Sequence, residues 1–251
     1  MKSSLWRQIA DLLYPPVCVR CNTLIGKGSA LCDDCFDSYF EANFRICPNC
    51  FKSIGECTCT DTLLKNGGVK RLYKVFYYFP QKTESSQNHL IYALKRKHQF
   101  YAFDFLADEL AALLKYHLAD DITSYTLTYV PASKRRMQNE GYDQMRILAK
   151  HLSKKLEIPL EAALLHSKKK TKAQKHLTKE ERLENAKDLF LPNYKVHLID
   201  KKYILIDDVC TTGATLHSAY RTLKRSGAKA VECAVIAARP LRVKKTYHIK
   251  K

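Results

Sequence analysis

The chain has 251 residues, 46% of them hydrophobic and 10% aromatic, with a formal net charge of +18. This composition suits a soluble globular protein with one full core and a smaller appendage. No apolar run approaches the ~20 residues of a membrane span, and Met1 to Pro16 lacks the order of regions in a secretory leader, so the sequence reads as cytoplasmic.

Leu5, Trp6, Ile9, Leu12 and Leu13 recur at helical spacing until Pro15 and Pro16 stop the pattern, which predicts a short amphipathic opening helix. Eight of the ten cysteines follow between Cys18 and Cys59. Cys18, Cys21, Cys32 and Cys35 form C-x-x-C, ten residues, C-x-x-C, a spacing in which two tight turns present four thiolates to one tetrahedral Zn²⁺. Cys47, Cys50, Cys57 and Cys59 form a second set whose closing C-x-C pair is unusually tight, so one or two zinc ions are expected. Without a secretion signal thiols stay reduced, which favours metal over disulfides. A segment this small has little core, so the metal would supply its folding energy and serve a structural role.

Met1 to Thr60 balances six Lys or Arg against six Asp or Glu, so the positive excess lies downstream. Such a field attracts nucleic acid or nucleotide phosphates. Lys70 to Phe79 alternates and is rich in Tyr, Phe and Val, as a half-buried strand would be. Gln87 to Lys97 and Phe103 to His117 show apolar residues three and four apart and read as helices. Tyr125 to Val130 reads as a strand that runs into Pro131 and a basic loop, and Tyr142 to Leu156 as a helix through Met145, Leu148, Ala149 and Leu152. His166 to Lys179 holds six lysines beside His166 and His176 and is expected to be an open, mobile loop. Tyr203 to Ile206 is an apolar strand, Ala214 to Ser226 a helix closed by Gly227, and Ala230 to Ala238 another buried strand. Strands alternating with helices argue for an α/β fold with a mostly parallel sheet. The expected domains are residues 1–64, opening helix and zinc ribbon, and residues 65–251, the α/β unit.

In Ile204 to Leu216, ILIDDVCTTGATL, a buried strand is expected to end at Asp207 and Asp208, with a loop Val209 to Gly213 and a helix from Ala214 or Thr215. Unpaired N–H groups at a helix start attract phosphate, and Thr211, Thr212 and Thr215 add hydroxyl donors. Gly213 would let the backbone approach the anion closely. The adjacent carboxylates repel phosphate, so ribose hydroxyls suit them better, with Mg²⁺ assisting from the other side.

The string resembles the phosphoribosyl pyrophosphate signature of type I phosphoribosyltransferases, an apolar strand and two acids followed by T-T-G-x-T. The resemblance implies a type I phosphoribosyltransferase-like sheet flanked by helices. It implies that Asp207 and Asp208 hold the ribose, while Val209, Cys210, Thr211, Thr212, Gly213, Ala214 and Thr215 wrap the 5′-phosphate. Val130 to Arg136 occupies the place of the family's pyrophosphate loop, with Ser133, Lys134 and Arg135 as ligand residues. The lysine-rich segment resembles the flap that closes over the ligand.

A zinc ribbon followed by this domain resembles the ComF family of competence proteins. Tyr14-Pro15-Pro16-x-Cys18, Leu90-Ile91 with Leu94-Lys95, and Gly141-Tyr142-Asp143-Gln144 also fit, the last standing where the family shows G-F-N-Q. So do Gln174, Leu177, Arg182, Asn185 and Phe190, and then Ala237-Ala238-Arg239. Tyr142, Asp143 and the C-x-C ending depart from the usual pattern. The resemblance implies a role in natural transformation, handling incoming single-stranded DNA with a helicase-like partner and recombination factors. DNA contact would need cations among aromatics, as in Lys95, Arg96 and Lys97 with Phe100 and Tyr101, or Arg71 and Lys74 with Tyr73, Phe76 and Tyr77. Alternating aromatics of the second kind are more often core. Two other readings stay open: a working transferase, with Lys134, Arg135, Arg136 and Mg²⁺ stabilising the leaving pyrophosphate, and a sensor that binds without turnover. No base-recognition motif is visible, and no catalytic residue is assigned.

Overall fold

A computed structural model describes residues 15–26, 28–95, 99–133, 137–138, 141–168, 189–194, 196 and 198–241. The opening helix, Arg96, Lys97, Lys134, Arg135, Arg136 and residues 169–188, which include Gln174, Leu177, Arg182 and Asn185, lie outside the described residues.

The sheet is built outward from two strands that are apolar on both faces. β5 (Lys202–Cys210) and β6 (Ala230–Ala238) pair in parallel, with Ile204 opposite Glu232 and Cys210 opposite Ala238. β1 (Leu72–Tyr77) joins the free side of β6 and β2 (Tyr125–Tyr129) the free side of β5, both in parallel, for the order β1-β6-β5-β2. Residues buried on both faces of a parallel sheet need covering layers, and helices supply them. α4 (Phe100–Leu118) and α5 (Gln144–Leu156) cover one face through Leu106, Leu110, Leu114, Leu148 and Leu152. α6 (Ala214–Arg225) covers the other through Leu216, Ala219 and Leu223.

The direction of winding reverses between β2 and β5. From β2 the chain runs through α5 to a parallel bridge at Leu160, beyond β2, where Leu127 donates to Pro159 O and Glu161 donates to Leu127 O. From β5 it runs the other way through α6 to β6. Right-handed crossovers in opposite directions place their helices on opposite faces, as α5 and α6 are. The crevice where the direction reverses is where open α/β sheets bind ligands, beyond the carboxyl ends of the strands.

β1 differs from its expected alternation, because all six of its residues are buried. The cysteine-rich segment covers this edge: Tyr39 of α1 (Asp33–Asn43) packs edge-on against Phe76 at 5.9 Å, and Lys74 reaches beneath Cys57 and Cys59. The first expected helix is shorter than its pattern, with α3 at Ser86–Ala93 capped by the Ser85 hydroxyl. The second is longer, reaching from Phe100 to Leu118. α5 begins at Gln144 rather than Tyr142, since Asp143 accepts from the backbone of Met145 and Arg146. An Asn would cap equally well, so the departure at Asp143 costs little. The Tyr142 hydroxyl donates to Leu94 O at 2.8 Å, a bond that Phe lacks.

α2 (Thr62–Asn66) spans the expected boundary between residues 64 and 65. A short antiparallel pair, β3 (Leu165–Ser167) with β4 (Phe190–Pro192), had no visible sequence signal, because each strand has only three residues. Lys168 N donates to Leu189 O at 2.8 Å, continuing the pairing of the two strands.

Candidate functional site

The cradle string stands at the crevice described above, with one correction to its local structure. β5 does not end at Asp207 and Asp208. It runs to Cys210, because Val209 and Cys210 pair with Ala237 and Ala238 and Cys210 O accepts from Arg239 N at 3.0 Å. The loop is therefore only Thr211 to Gly213, and α6 starts at Ala214. Asp207 is buried and Asp208 half-buried, and each carboxylate accepts from the next backbone N–H, at 2.9 and 2.8 Å. Thr211, Thr212 and Thr215 are exposed, so their hydroxyls sit at the surface of the loop.

Cys210 is a buried thiol whose pKa is pushed up to about 12 by burial and then by the carboxylates of Asp61 and Asp207. It stays neutral at ordinary pH and is no nucleophile.

Gly213 has φ +72°, a left-handed conformation that glycine adopts without strain. The neighbour that demands its lack of a side chain comes from the ribbon. A Cβ there would meet Leu64 Cγ at 2.8 Å and Asp61 Oδ2 at 2.9 Å. Asp61 Oδ1 also caps α2 by accepting from Leu64 N, and Leu64 shares a core cluster with Leu216. Asp61 and Leu64 thus support the cradle, a role that sequence spacing did not indicate. A cavity of about 610 Å³ adjoins this contact, lined among others by Asn49, Thr60, Asp61, Lys74, Thr211 and Arg239.

The second loop follows β2. Val130 N donates to Ile206 O at 2.9 Å, extending the ladder, after which Pro131 and Ala132 are half-buried and Ser133 exposed. Ser133 O accepts from Met137 N at 2.9 Å. β2 and β5 are parallel neighbours, so both chains emerge at the carboxyl-end edge of the sheet, with β5 running four residues past Ile206, the partner of Tyr129, before the threonine loop begins. The base of the lysine-rich segment is tied to the same helix as the threonine loop, because Leu189 N donates to the Ser218 hydroxyl at 2.7 Å.

The cysteines gather as two sets of four. Within each set the ligand sulfurs lie within 4.8 Å of one another, and Cys21 Sγ and Cys32 Sγ are 3.5 Å apart. Four sulfurs about 2.3 Å from Zn²⁺ stand about 3.8 Å apart in a tetrahedron, so both sets fit one ion each. The turns that present them repeat. Cys18 N donates to Thr23 O and Asn22 N to Cys18 O; Cys47 N donates to Lys52 O and Phe51 N to Cys47 O. Asn22 and Phe51 hold the same left-handed place, at φ 62° and 58°. All ten cysteines are free thiols. Burial pushes the Cys59 thiol up to about 12, a preference that a bound cation reverses. Lys74, buried in β1, donates to Cys57 O at 2.7 Å and Cys59 O at 3.3 Å, tying the second set to the sheet.

The second aromatic and cationic set belongs to the core rather than to a nucleic-acid surface. Tyr73, Lys74, Phe76 and Tyr77 are buried, and Arg71 pairs with Glu232 at 2.7 Å. Of the first set, Lys95 and Phe100 are exposed, and Lys95 lies over the Tyr92 ring.

A double zinc ribbon domain model matches residues 9–63, and a phosphoribosyl transferase domain model matches residues 146–251. The molecule is a double zinc ribbon joined to a type I phosphoribosyltransferase-like fold. Its curated relatives include competence proteins and a DNA utilization protein. It is 28% identical over 207 residues to competence protein ComFC of Streptococcus pneumoniae, covering 81% of this chain and 86% of that one. Competence protein F of Haemophilus influenzae is 32% identical over 104 residues, 41% of this chain and 45% of its own. The DNA utilization protein YhgH of Escherichia coli is 26% identical over 235 residues, 88% and 96%. Among solved structures, a purine phosphoribosyltransferase from Pyrococcus horikoshii aligns at TM-score 0.36 and 22% identity, over 56% of this chain and 77% of that one. No described helix is long and apolar enough to cross a membrane.

Proposed function

We propose that the protein acts in the cytoplasm during natural transformation, on or near incoming single-stranded DNA, and that its cradle binds phosphoribosyl pyrophosphate with Mg²⁺. The observation that supports the ligand reading is that two loops follow the carboxyl ends of neighbouring parallel strands, at the crevice where the sheet reverses direction. One is the T-T-G-x-T loop after β5, the other the segment after β2 that begins at Val130 and holds Ser133. In this reading Asp207 and Asp208 take the ribose hydroxyls, Val209 to Thr215 surround the 5′-phosphate, and Ser133, Lys134 and Arg135 take the pyrophosphate. The two zinc ions hold the ribbon, and the DNA and any helicase-like partner meet the basic domain. The role in DNA uptake rests on the names of the homologues, competence proteins and a DNA utilization protein.

Thermal melting with phosphoribosyl pyrophosphate and Mg²⁺ tests the cradle. A ligand at 100 times its Kd stabilises by about 2.7 kcal/mol, and Asp207→Ala with Asp208→Ala should abolish that shift. A shift unchanged in the double variant would sink the assignment. Single-strand binding should weaken steeply with salt, and no binding at low salt would remove the DNA reading.

The cavity beside Thr211 favours a second reading, a working transferase, since it leaves room for an acceptor next to the cradle. Pyrophosphate release with a panel of bases or single-stranded DNA separates this from a sensor that binds without turnover.

A further inference from the structure

The zinc ribbon carries an uncovered aromatic ridge. α1 buries Cys35 and Tyr39, while the next row along it holds Phe36, Phe40 and Phe44, which are 40%, 53% and 64% exposed. The rings form a continuous line. Phe36 and Phe40 are near-parallel at 6.4 Å, and Phe40 meets Phe44 edge-on at 4.7 Å. Three residues before each phenylalanine stands an exposed acid, Asp33, Asp37 or Glu41, so an acidic row runs directly beside the ridge. Three aligned aromatic side chains left in water are an unusual surface. The acids beside them repel a phosphate backbone, which excludes nucleic acid as the natural occupant. The occupant must bring an apolar stripe without an acid on its contact face.

Residues 1–14 have that chemistry. On a helical projection Leu5, Trp6, Ile9, Leu12 and Leu13 share one face, Lys2 falls in line with them, and Asp11, the only acid of the segment, falls on the far side. The attachment point also suits. Pro15 lies three residues before Cys18, about 10 Å of extended chain, and Cys18 Sγ is within 4.8 Å of Cys35 Sγ in the first turn of α1. Fourteen residues in a helix span about 21 Å, against about 12 Å from Phe36 to Phe44.

We propose that residues 1–14 dock as an amphipathic helix along the Phe36, Phe40 and Phe44 ridge, completing the core of the ribbon. Trp6 is the only tryptophan of the chain, so its fluorescence reports on this segment alone.

The experiment uses the full-length zinc-loaded protein, with a free peptide of residues 1–14 as reference. The expected result is blue-shifted, poorly quenched Trp6 emission that moves to the peptide's emission and acrylamide quenching in Phe40→Asp. Leu191→Asp, on the exposed face of β4, should leave it unchanged. Zinc content monitors the fold of the ribbon. Where Phe40→Asp loses zinc, Asp37→Lys with Glu41→Lys keeps the phenylalanines, reverses the charge row and should release Trp6 in its place. Emission in the wild type equal to that of the free peptide overturns the proposal. So does shielding that neither variant relieves, or shielding that disappears on dilution, which would make the occupant a second copy.

Discussion

The ribbon and the α/β domain are held together by different physics. The domain buries two apolar clusters, one on each face of a parallel sheet, and helices with four-residue stripes cover both. The ribbon contributes only a few residues to that burial, such as Ala30, Leu31 and Tyr39, and otherwise depends on two tetrads of thiols. A fold held by burial tolerates the loss of one contact. A fold held by a metal loses most of its stability at once. The two regions nevertheless meet at the cradle, where Asp61 and Leu64 press on Gly213, and beneath the second tetrad, where Lys74 binds its backbone. The site therefore depends on the ribbon although the ribbon supplies none of the proposed ligand contacts.

The largest test of that contrast is chelation. Zinc in small ribbons contributes about 10–16 kcal/mol, so removal should unfold the ribbon while far-UV circular dichroism keeps the signal of the α/β domain. Metal analysis should give two zinc ions per chain, and Cys57→Ser should lower this to one. A full-length protein that melts identically with and without zinc would erase the contrast. Next in size, Leu110→Ala removes a fully buried side chain from α4 and should cost about 2–5 kcal/mol in urea unfolding, with zinc content unchanged.

Gly213→Ala probes the junction. The left-handed backbone and the close Leu64 should together cost about 1–3 kcal/mol and weaken the phosphoribosyl pyrophosphate shift. Loss of the shift with full retention of stability would mean that the ribbon does not support the loop. The last effect is confined to alkaline pH and concerns Cys210, whose folded pKa is raised from 9.0 to about 12. Its burial as a neutral thiol is fully stabilising below the unfolded pKa, and that contribution is lost progressively from pH 9 towards pH 12. The cost is about 1.4 kcal/mol per pH unit within the window, so Cys210→Ala should flatten the alkaline limb of the stability profile relative to the parent.

Much of the site was legible in local patterns. The boundaries of β6 and the start of α6 follow from continuous apolar runs and from a glycine before a helix, and the two cysteine sets follow from their spacing. The miss at β5 is informative. Asp207 and Asp208 look like a strand end, because acids are costly in a sheet, yet β6 continues to pair as far as Cys210. The miss at β1 has the same origin. Its alternation reads as half-buried, and Tyr73, Lys74, Phe76 and Tyr77 leave a cationic surface open beside the commoner core reading, until the ribbon folds over that edge.

Sequence alone determined the chemistry available to this protein: eight thiols in metal-binding order, a T-T-G-x-T loop between an apolar strand and a helix, and an excess of cations after residue 60. Those features depend on residue type and on spacing within a few turns of chain, where local geometry dominates. The tertiary structure alone decided what stands behind each of them. It brought Leu64 and Asp61 against a glycine about 150 residues away, set Lys74 under Cys57 and Cys59, and paired β2 with β5 so that their loops leave the same edge of the sheet. Contacts of that range leave no periodic trace, because neither partner's neighbours in the chain carry the other's position.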